Sequence, residues 1–411
     1  MTYLLHFAPE PRGDVVKQGQ ELVRRRYPTL KVLKESDERV AGPAVFISML
    51  DMNPAEGFEP PSLDYLKYFG RGVSLELAQA MQKSKVAAVV TFTYDVADAV
   101  VMARLTTEVM NEFGTLTAGL IWDDETRELF TPAALAEKRM SPPDHGFPDV
   151  RGHITIHAYQ SGEYIRAITL GMRKFGLPDI VINGFSWSLN TQMGNTINLF
   201  AQSLVEGATP PMGRYDFDVS KLKHDAVRAT YEEDLLDDAH NVAELTLANA
   251  EVDEGDPDNR LLELRFDRYA GKTVHEKHQE FVGNFFGSVE TVAYIKHNDA
   301  IRAASDRARQ KLPSLRKEFN AGLQPGEHLL LKAPFETSSG GREWMWVEVS
   351  SWKGDDIVGL LANEPEDVPG LRAGSTVKVS EKEVFDYIRY KADGSSEGNE
   401  TGKEIEKVRT R

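Results

Sequence analysis

Two stretches rich in glycine and serine could carry enzymatic chemistry. Gly184-Phe185-Ser186-Trp187-Ser188 is the nearest match to the nucleophile elbow of hydrolases, but it lacks the second glycine that keeps side chains away from that tight turn. Ser188 is better explained as the cap that starts the following helix. Gly70-Arg71-Gly72, followed by Ser74, predicts a turn and another helix cap, because neither glycine-rich phosphate-binding motif occurs in the chain.

Two pairs of histidines are the candidates for metal binding. His153 and His157 fall in a predicted strand, where alternate side chains share one face, but two residues so spaced lie about 13 Å apart. His275 and His278 are three residues apart in a predicted helix and do not form an H-E-x-x-H motif. The chain has no cysteine to complete either set. We therefore predict no metal and no cofactor, with these four histidines as the alternative ligands.

Three of the five tryptophans lie within nine residues in the last third of the chain. In the predicted strand Glu343–Val349, the apolar residues that alternate with the tryptophans face the core, so Trp344, Trp346 and Glu348 share the opposite face. That face either packs against a second layer of the protein or binds a partner protein. The candidate partner-binding residues are Trp344, Trp346, Glu348, Trp352, Asn363 and Glu364.

The composition limits the class of protein. With 41% hydrophobic and 27% charged residues the chain is an ordinary globular protein, and its 411 residues exceed the roughly 250–300 at which one core stops growing. The net charge, 48 − 64 = −16, opposes binding to nucleic acid, which requires a positive patch. The lack of cysteine, of a signal peptide and of any run of about 18 apolar residues predicts a cytoplasmic protein without a membrane span.

The elements that would position these residues predict an α+β fold. Residues 1–213 alternate strand-like and helix-like segments, as expected for a mixed-sheet N-terminal domain with covering helices. The strands are predicted at Leu4–Phe7, Ala44–Leu50, Val86–Tyr94, Ala118–Trp122, His153–Tyr159 and Asp179–Asn183, and the helices at Leu75–Lys83, Ala97–Phe113, Glu163–Phe175 and Leu189–Val205.

The rest of the chain is predicted as three further segments. Residues 214–289 form an acidic connecting subdomain, in which Ala243–Ala248 and Leu261–Phe266 are strands joined by the acidic turn Glu251–Asn259. Residues 290–393 form a smaller C-terminal domain of helix and antiparallel sheet. Residues 394–411 form a charged tail that lacks a core-forming period and is expected to be loose.

Three blocks within residues 290–393 resemble the YegJ-like family of uncharacterised bacterial proteins. They are a helix that starts at Asp299, a hairpin built from Leu330–Phe335 and Glu343–Val349, and the segment Ile357–Pro365. Members of that family usually carry histidine where this chain has Trp344, so a function that depends on that histidine is not expected here.

The resemblance implies a helix packed on a strongly bent antiparallel sheet, and it brings no established activity. A fainter resemblance to another uncharacterised bacterial domain surrounds Gly119–Trp122 and Thr131-Pro132. We therefore expect a non-catalytic binding, regulatory or immunity-type protein that contacts another protein. The alternative is a hydrolase or metal-dependent enzyme whose site combines histidines and carboxylates from different domains.

Overall fold

The computed structural model of the chain contains three β-sheets with helices packed against them. It describes all residues except 9, 12, 37, 162–163, 186–188, 234, 236–238, 272–273, 288–298, 324–326, 339–340, 366–367, 392–394 and 410–411. The predicted cap Ser188 therefore lies outside the described residues. The predicted cap Ser74 is confirmed, because its hydroxyl accepts the amide N–H of Leu77 at 3.2 Å.

The helices and strands follow in chain order. The helices are α1 (Val15–Arg26), α2 (Leu63–Phe69), α3 (Leu75–Met81), α4 (Ala99–Thr117), α5 (Pro132–Arg139), α6 (Val150–His153), α7 (Asn190–Val205), α8 (Asp225–Glu233), α9 (Val274–Phe285), α10 (Asp299–Arg309), α11 (Leu312–Ala321) and α12 (Glu400–Arg409). The strands are β1 (Thr2–His6), β2 (Lys31–Val32), β3 (Ala44–Asp51), β4 (Gly70–Arg71), β5 (Val86–Thr93), β6 (Leu120–Asp123), β7 (Glu128–Phe130), β8 (Thr155–Ser161), β9 (Tyr164–Leu170), β10 (Asp179–Phe185), β11 (Gly213–Asp218), β12 (Val242–Asn249), β13 (Leu261–Arg265), β14 (His328–Glu336), β15 (Arg342–Lys353), β16 (Asp356–Leu361), β17 (Thr376–Ser380), β18 (Asp386–Tyr390) and β19 (Ser396–Gly398).

The first sheet has seven strands in the order β2-β3-β5-β1-β6-β7-β4, with antiparallel pairs in the middle and a parallel pair at each end. β1 lies between β5 and β6, and its Tyr3 and Leu5 are fully buried. Helix α4 packs Met110 and Phe113 into the same core. The predicted mixed sheet with covering helices is confirmed here.

The middle sheet has six strands in the order β11-β12-β13-β10-β9-β8, and β10 and β13 are parallel neighbours. Strands before and after residue 213 therefore share one sheet and one core, so residues 214–265 do not form a subdomain separate from residues 155–185. The predicted helix Glu163–Phe175 was wrong, because this segment forms β9 and a 3-10 turn, Met172–Phe175. The predicted acidic turn between β12 and β13 is confirmed.

The C-terminal sheet has six strands in the order β17-β16-β15-β14-β18-β19, and every neighbouring pair is antiparallel. Helix α11 covers one face with Leu312 and Leu315. The tail was predicted to be loose, but it adds β19 and α12 to this unit. Asp386 fixes the start of α12, because its carboxylate accepts the amide N–H of Thr401 at 2.8 Å and the hydroxyl of the same residue at 2.6 Å.

The three sheets confirm the α+β fold class, with mixed sheets in the first two thirds of the chain and an antiparallel sheet with helices in the last third. Among the described residues, no helix is both long and apolar enough to cross a membrane.

Candidate functional site

One face of the C-terminal sheet points away from α11, and we call it the outer face. Strand alternation decides its composition, because Met345, Val347 and Val349 of β15 point into the core as predicted. The side chains between them, together with their cross-strand neighbours, point outward and are half-buried. The outer face consists of Leu330, Lys332, Trp344, Trp346, Glu348, Leu360 and Ile388.

Lys332 lies at the centre of the outer face. It pairs with Trp346 across β14 and β15, and its Nζ atom is 5.3 Å from the centre of the indole ring. In the part of the chain that the structure describes, this ammonium forms no hydrogen bond and no ion pair within 4.0 Å. Burial lowers the pKa of Lys332, and the charge of Asp386 acts in the opposite direction. The ammonium therefore has an aromatic ring beside it and donors left for a ligand.

The two outer tryptophans lie on β15 beside Lys332, with Trp346 directly opposite Lys332 and Trp344 opposite Pro334. The Trp344 ring packs against Phe385 with 4.5 Å between ring centres. Trp346 is fixed through its backbone, because its N–H donates to Asn363 Oδ1 at 2.6 Å. Aromatic side chains held in this way keep their position when a partner arrives, which reduces the entropy lost on binding.

The side chains of Asn363 and Glu364 accept hydrogen bonds from the backbone beside the outer face. Asn363 receives the N–H of Trp346, as described, and Glu364 Oε2 accepts the amide N–H of Ala373 at 3.0 Å. Both residues thus hold the segment between β16 and β17. Glu348 lies on the outer face, opposite Leu330 on one side and Leu360 on the other.

Trp352, another candidate partner-binding residue, does not lie on the outer face. A β-bulge between Val349 and Ser351 shifts the register against β16, and such an extra residue sends every later side chain to the other side of the sheet. Trp352 is consequently 1% exposed in the core, where its indole N–H donates to Glu381 Oε2 at 2.9 Å.

The four histidines proposed as alternative metal ligands are not brought together in the described part of the chain. His153 ends α6 instead of starting β8, and its buried ring lies edge-on to Phe175. His157 on β8 stacks on Phe69 of α2, and His278 packs edge-on against Phe266. The side chain of His275 lies outside the described residues.

A different group places three potential ligand atoms within 4.8 Å of one another: Asp144, His145 and Asp225. Asp144 Oδ2 accepts the amide N–H of Asp225, the first residue of α8, at 2.5 Å. Carboxylates stabilise the positive end of a helix, and that end opposes a cation. We therefore assign these aspartates to the start of α8.

A buried ionic network joins the first sheet to the middle sheet, and no local motif in the sequence predicts it. Arg139 Nη1 lies 2.5 Å from Asp123 Oδ2, and Lys174 Nζ contacts the same oxygen. Burial alone would raise the pKa of Asp123, but Lys174 and Arg139 outweigh it and hold that pKa below its ordinary value. Burial and the neighbouring Arg139 lower the pKa of Lys174 to about 8.

Every charge of this network has a partner within the protein. Arg139 also donates to the carbonyl of Gly152 at 2.8 Å, and Lys174 donates to the carbonyl of His153 at 2.9 Å. Lys138 Nζ donates a hydrogen bond to Glu128 Oε1 at 2.9 Å. The carboxylates of Asp123 and Glu128 are both inaccessible to solvent. Buried, mutually paired charges of this kind stabilise the contact between the first and middle sheets. On the outer face, by contrast, the Lys332 ammonium can still bind a ligand.

The last third of the chain, residues 275–407, matches the model of a bacterial protein family described as an uncharacterized protein conserved in bacteria (DUF2314). This match confirms that the C-terminal third resembles an uncharacterised bacterial family, although the description does not contain the name YegJ. The match includes the whole C-terminal sheet with its outer face. No curated protein and no solved structure matches the chain.

Proposed function

We propose that this chain is a non-catalytic binding protein whose outer face holds a partner protein. The partner presents a carboxylate to Lys332 and apolar side chains to Trp344 and Trp346. Binding of this kind suits a regulatory or immunity-type role, in which the bound partner changes its activity.

The observation that carries the proposal is the Lys332 ammonium, which forms no hydrogen bond or ion pair with the residues that the structure describes. A half-buried charge is costly without a partner, and a carboxylate is the acceptor that would compensate it best. Among the described residues the Lys332 ammonium has a cation–π contact with the Trp346 ring, which supplies about 0.5–1 kcal/mol at an accessible site, and it forms no ion pair within 4.0 Å with Asp386, its neighbour on β18. A carboxylate from outside the chain would complete the site.

The tryptophans supply the apolar part of the contact. Each ring can bury roughly 150–250 Å² in an interface, and tryptophan is enriched among residues that dominate binding energy. Leu330, Leu360 and Ile388 extend the apolar surface around Lys332. A ring of apolar contacts excludes water from a central charge pair and strengthens it.

Site-specific photo-crosslinking in cells tests the proposal. A photoreactive amino acid replaces Glu348 on the outer face, and in a control it replaces Asn320, which is exposed on α11 behind the sheet. We expect a discrete crosslinked protein from position 348 and none from position 320. The double variant Trp344→Ala, Trp346→Ala should lose the crosslink.

Two outcomes would contradict the proposal. One is the same set of crosslinks from both positions, or none from position 348. The other is a double tryptophan variant that melts like the parent and keeps the parent's crosslink, because the outer rings would then contribute neither to stability nor to binding.

A further inference from the structure

A cavity of about 270 Å³ lies where the first sheet meets the segment that follows β9. This volume is slightly below the roughly 300–1,000 Å³ of sites that enclose drug-sized ligands, so it suits a smaller molecule. Its walls come from the end of β5 and the start of α4, from the turn between β6 and β7, and from the 3-10 turn after β9. The lining residues are Met1, Phe92, Thr93, Tyr94, Val96, Ala99, Glu125, Arg173 and Gly176.

The buried ionic network fixes both charged walls of this cavity. Asp123 Oδ1 accepts the amide N–H of Glu125 at 3.0 Å, which holds the turn that carries the Glu125 side chain. On another wall, Arg173 directly precedes Lys174, whose ammonium contacts Asp123. The hydroxyl of Tyr94 donates to the carbonyl of Lys174 at 2.9 Å and ties the third wall to the same point. The walls are therefore positioned before a ligand binds.

The cavity offers both signs of charge. Glu125 is half-buried, and among the described residues its carboxylate accepts no hydrogen bond. Burial raises the pKa of Glu125, while the amino group of Met1 acts in the opposite direction. Arg173 is exposed, and it uses one guanidinium nitrogen on the carbonyl of Asp258 at 2.9 Å, which leaves other N–H groups for a ligand.

Met1, Thr93 and Tyr94 add polar atoms to the lining, and the rest of it is apolar. Phe92 and Ala99 form buried parts of the lining, and Val96 is 68% exposed above them. Gly176 has a φ of +68°, and a Cβ there would lie 2.6 Å from Val96 Cγ1, so the glycine allows the two segments to approach. A lining that combines a carboxylate, a guanidinium and apolar side chains matches a small molecule with an ammonium, a carboxylate and a short hydrocarbon group.

We infer that this cavity binds a free α-amino acid with a small apolar side chain, whose ammonium meets Glu125 and whose carboxylate meets Arg173. The hydrocarbon side chain then lies against Val96 and Ala99. Because the walls belong to the first and middle sheets, the ligand bridges the two and stabilises their contact. This inference does not depend on the outer face.

Calorimetric titration of the full chain tests the inference with three probes: L-valine, isobutylamine and isobutyrate. We expect saturable binding of L-valine and at least tenfold weaker binding of the amine and the acid, since each makes half of the contacts. Glu125→Gln and Arg173→Gln should each weaken L-valine binding at least tenfold. The matched controls Glu21→Gln and Arg25→Gln, which remove exposed charges from α1, should bind as the parent does.

Two results would overturn the inference. The first is no saturable binding of alanine, valine, leucine or isoleucine at concentrations above about 1 mM, the range of the weakest specific ligands. The second is an unchanged L-valine affinity in both Glu125→Gln and Arg173→Gln. Arg173 is exposed, so its variant should fold even if the Glu125 variant does not, and a melting curve of each variant checks this.

Discussion

The junction of the first two sheets and the outer face of the C-terminal sheet use charge in opposite ways. At the junction, Asp123, Arg139 and Lys174 are buried and satisfy one another. On the outer face, Lys332 is half-buried beside the Trp346 ring and opposite Asp386 on β18, and its ammonium forms no hydrogen bond or ion pair within 4.0 Å among the described residues. The first arrangement stabilises the fold, and the second leaves interaction energy for a ligand. The comparison predicts that variants of the junction change stability and that Lys332 variants change binding.

The largest expected effect is on the junction. Asp123→Asn leaves Arg139 and Lys174 buried without their shared counter-charge, and breaking a buried pair in this way typically costs 3–5 kcal/mol. We expect that loss in the free energy of unfolding, measured by urea denaturation. The neighbouring exposed residue provides the control, and Asp124→Asn should change stability by within about 0.5 kcal/mol. Equal stability of the two variants would show that the network contributes nothing.

The two faces of the C-terminal sheet provide the next test. Trp352→Ala creates a cavity in the core and removes the hydrogen bond to Glu381, so it should cost about 3–5 kcal/mol. Trp346→Ala removes a half-buried ring from the outer face and should cost about 1 kcal/mol or less. Thermal unfolding of both variants measures the difference. If Trp346→Ala destabilises as much as Trp352→Ala, the outer face is part of the core.

Acid pH should destabilise the first two sheets more than the C-terminal sheet. Burial lowers the pKa of His6 to about 4 from an ordinary value of 6.5, burial and Arg127 do the same for His157, and burial holds the pKa of His153 well below the ordinary value. As the pH falls below 6.5, the unfolded chain binds protons that the folded chain does not, so the free energy of unfolding decreases until about pH 4. For His6 alone the loss is roughly 3 kcal/mol.

Two carboxylates oppose this effect. Burial raises the pKa of Asp179 to about 6 and also raises the pKa of Glu125, so acidification stabilises the folded form at both positions. The three histidines outweigh these two carboxylates, whereas His328 of the described C-terminal unit is exposed. Hydrogen exchange is measured at neutral pH and at a pH midway between the ordinary histidine pKa of 6.5 and the folded value of about 4, and it is corrected for intrinsic rates. Exchange at the lower pH should be faster in the first two sheets only. Faster exchange confined to the C-terminal sheet would contradict this account.

The smallest effect concerns the tail and the predicted domain division. We expect residues 290–411 to fold on their own, because the C-terminal sheet has its own core. A fragment that stops at residue 393 loses β19 and α12 and removes the Thr401 N–H and hydroxyl that donate to the buried Asp386 Oδ2, at a cost of about 1–3 kcal/mol. Amide NMR spectra of the two fragments test both points. A poorly dispersed spectrum of the longer fragment would refute autonomous folding.

Local patterns predicted most strands, the fold class and the alternation along β15, because burial of one face leaves a two-residue period. They failed at β9, where six consecutive buried residues carry no strand period. They failed at Trp352, because nothing in Ser350-Ser351 announces a bulge. The ionic network was missed because Asp123 meets partners 16 and 51 residues away. Lys332 could have been found from the alternation in β14, had the register with Trp346 been known.

The central claim is that Lys332 is the charge on which a partner docks. Once crosslinking from position 348 has identified the partner, titration calorimetry with the purified pair measures the effect of Lys332→Met. Truncating one member of a buried charge pair typically costs 2–5 kcal/mol of binding free energy, and we predict a loss in that range. Lys317→Met, which removes an exposed charge from α11, should leave the affinity unchanged. An unchanged affinity for Lys332→Met would contradict the account.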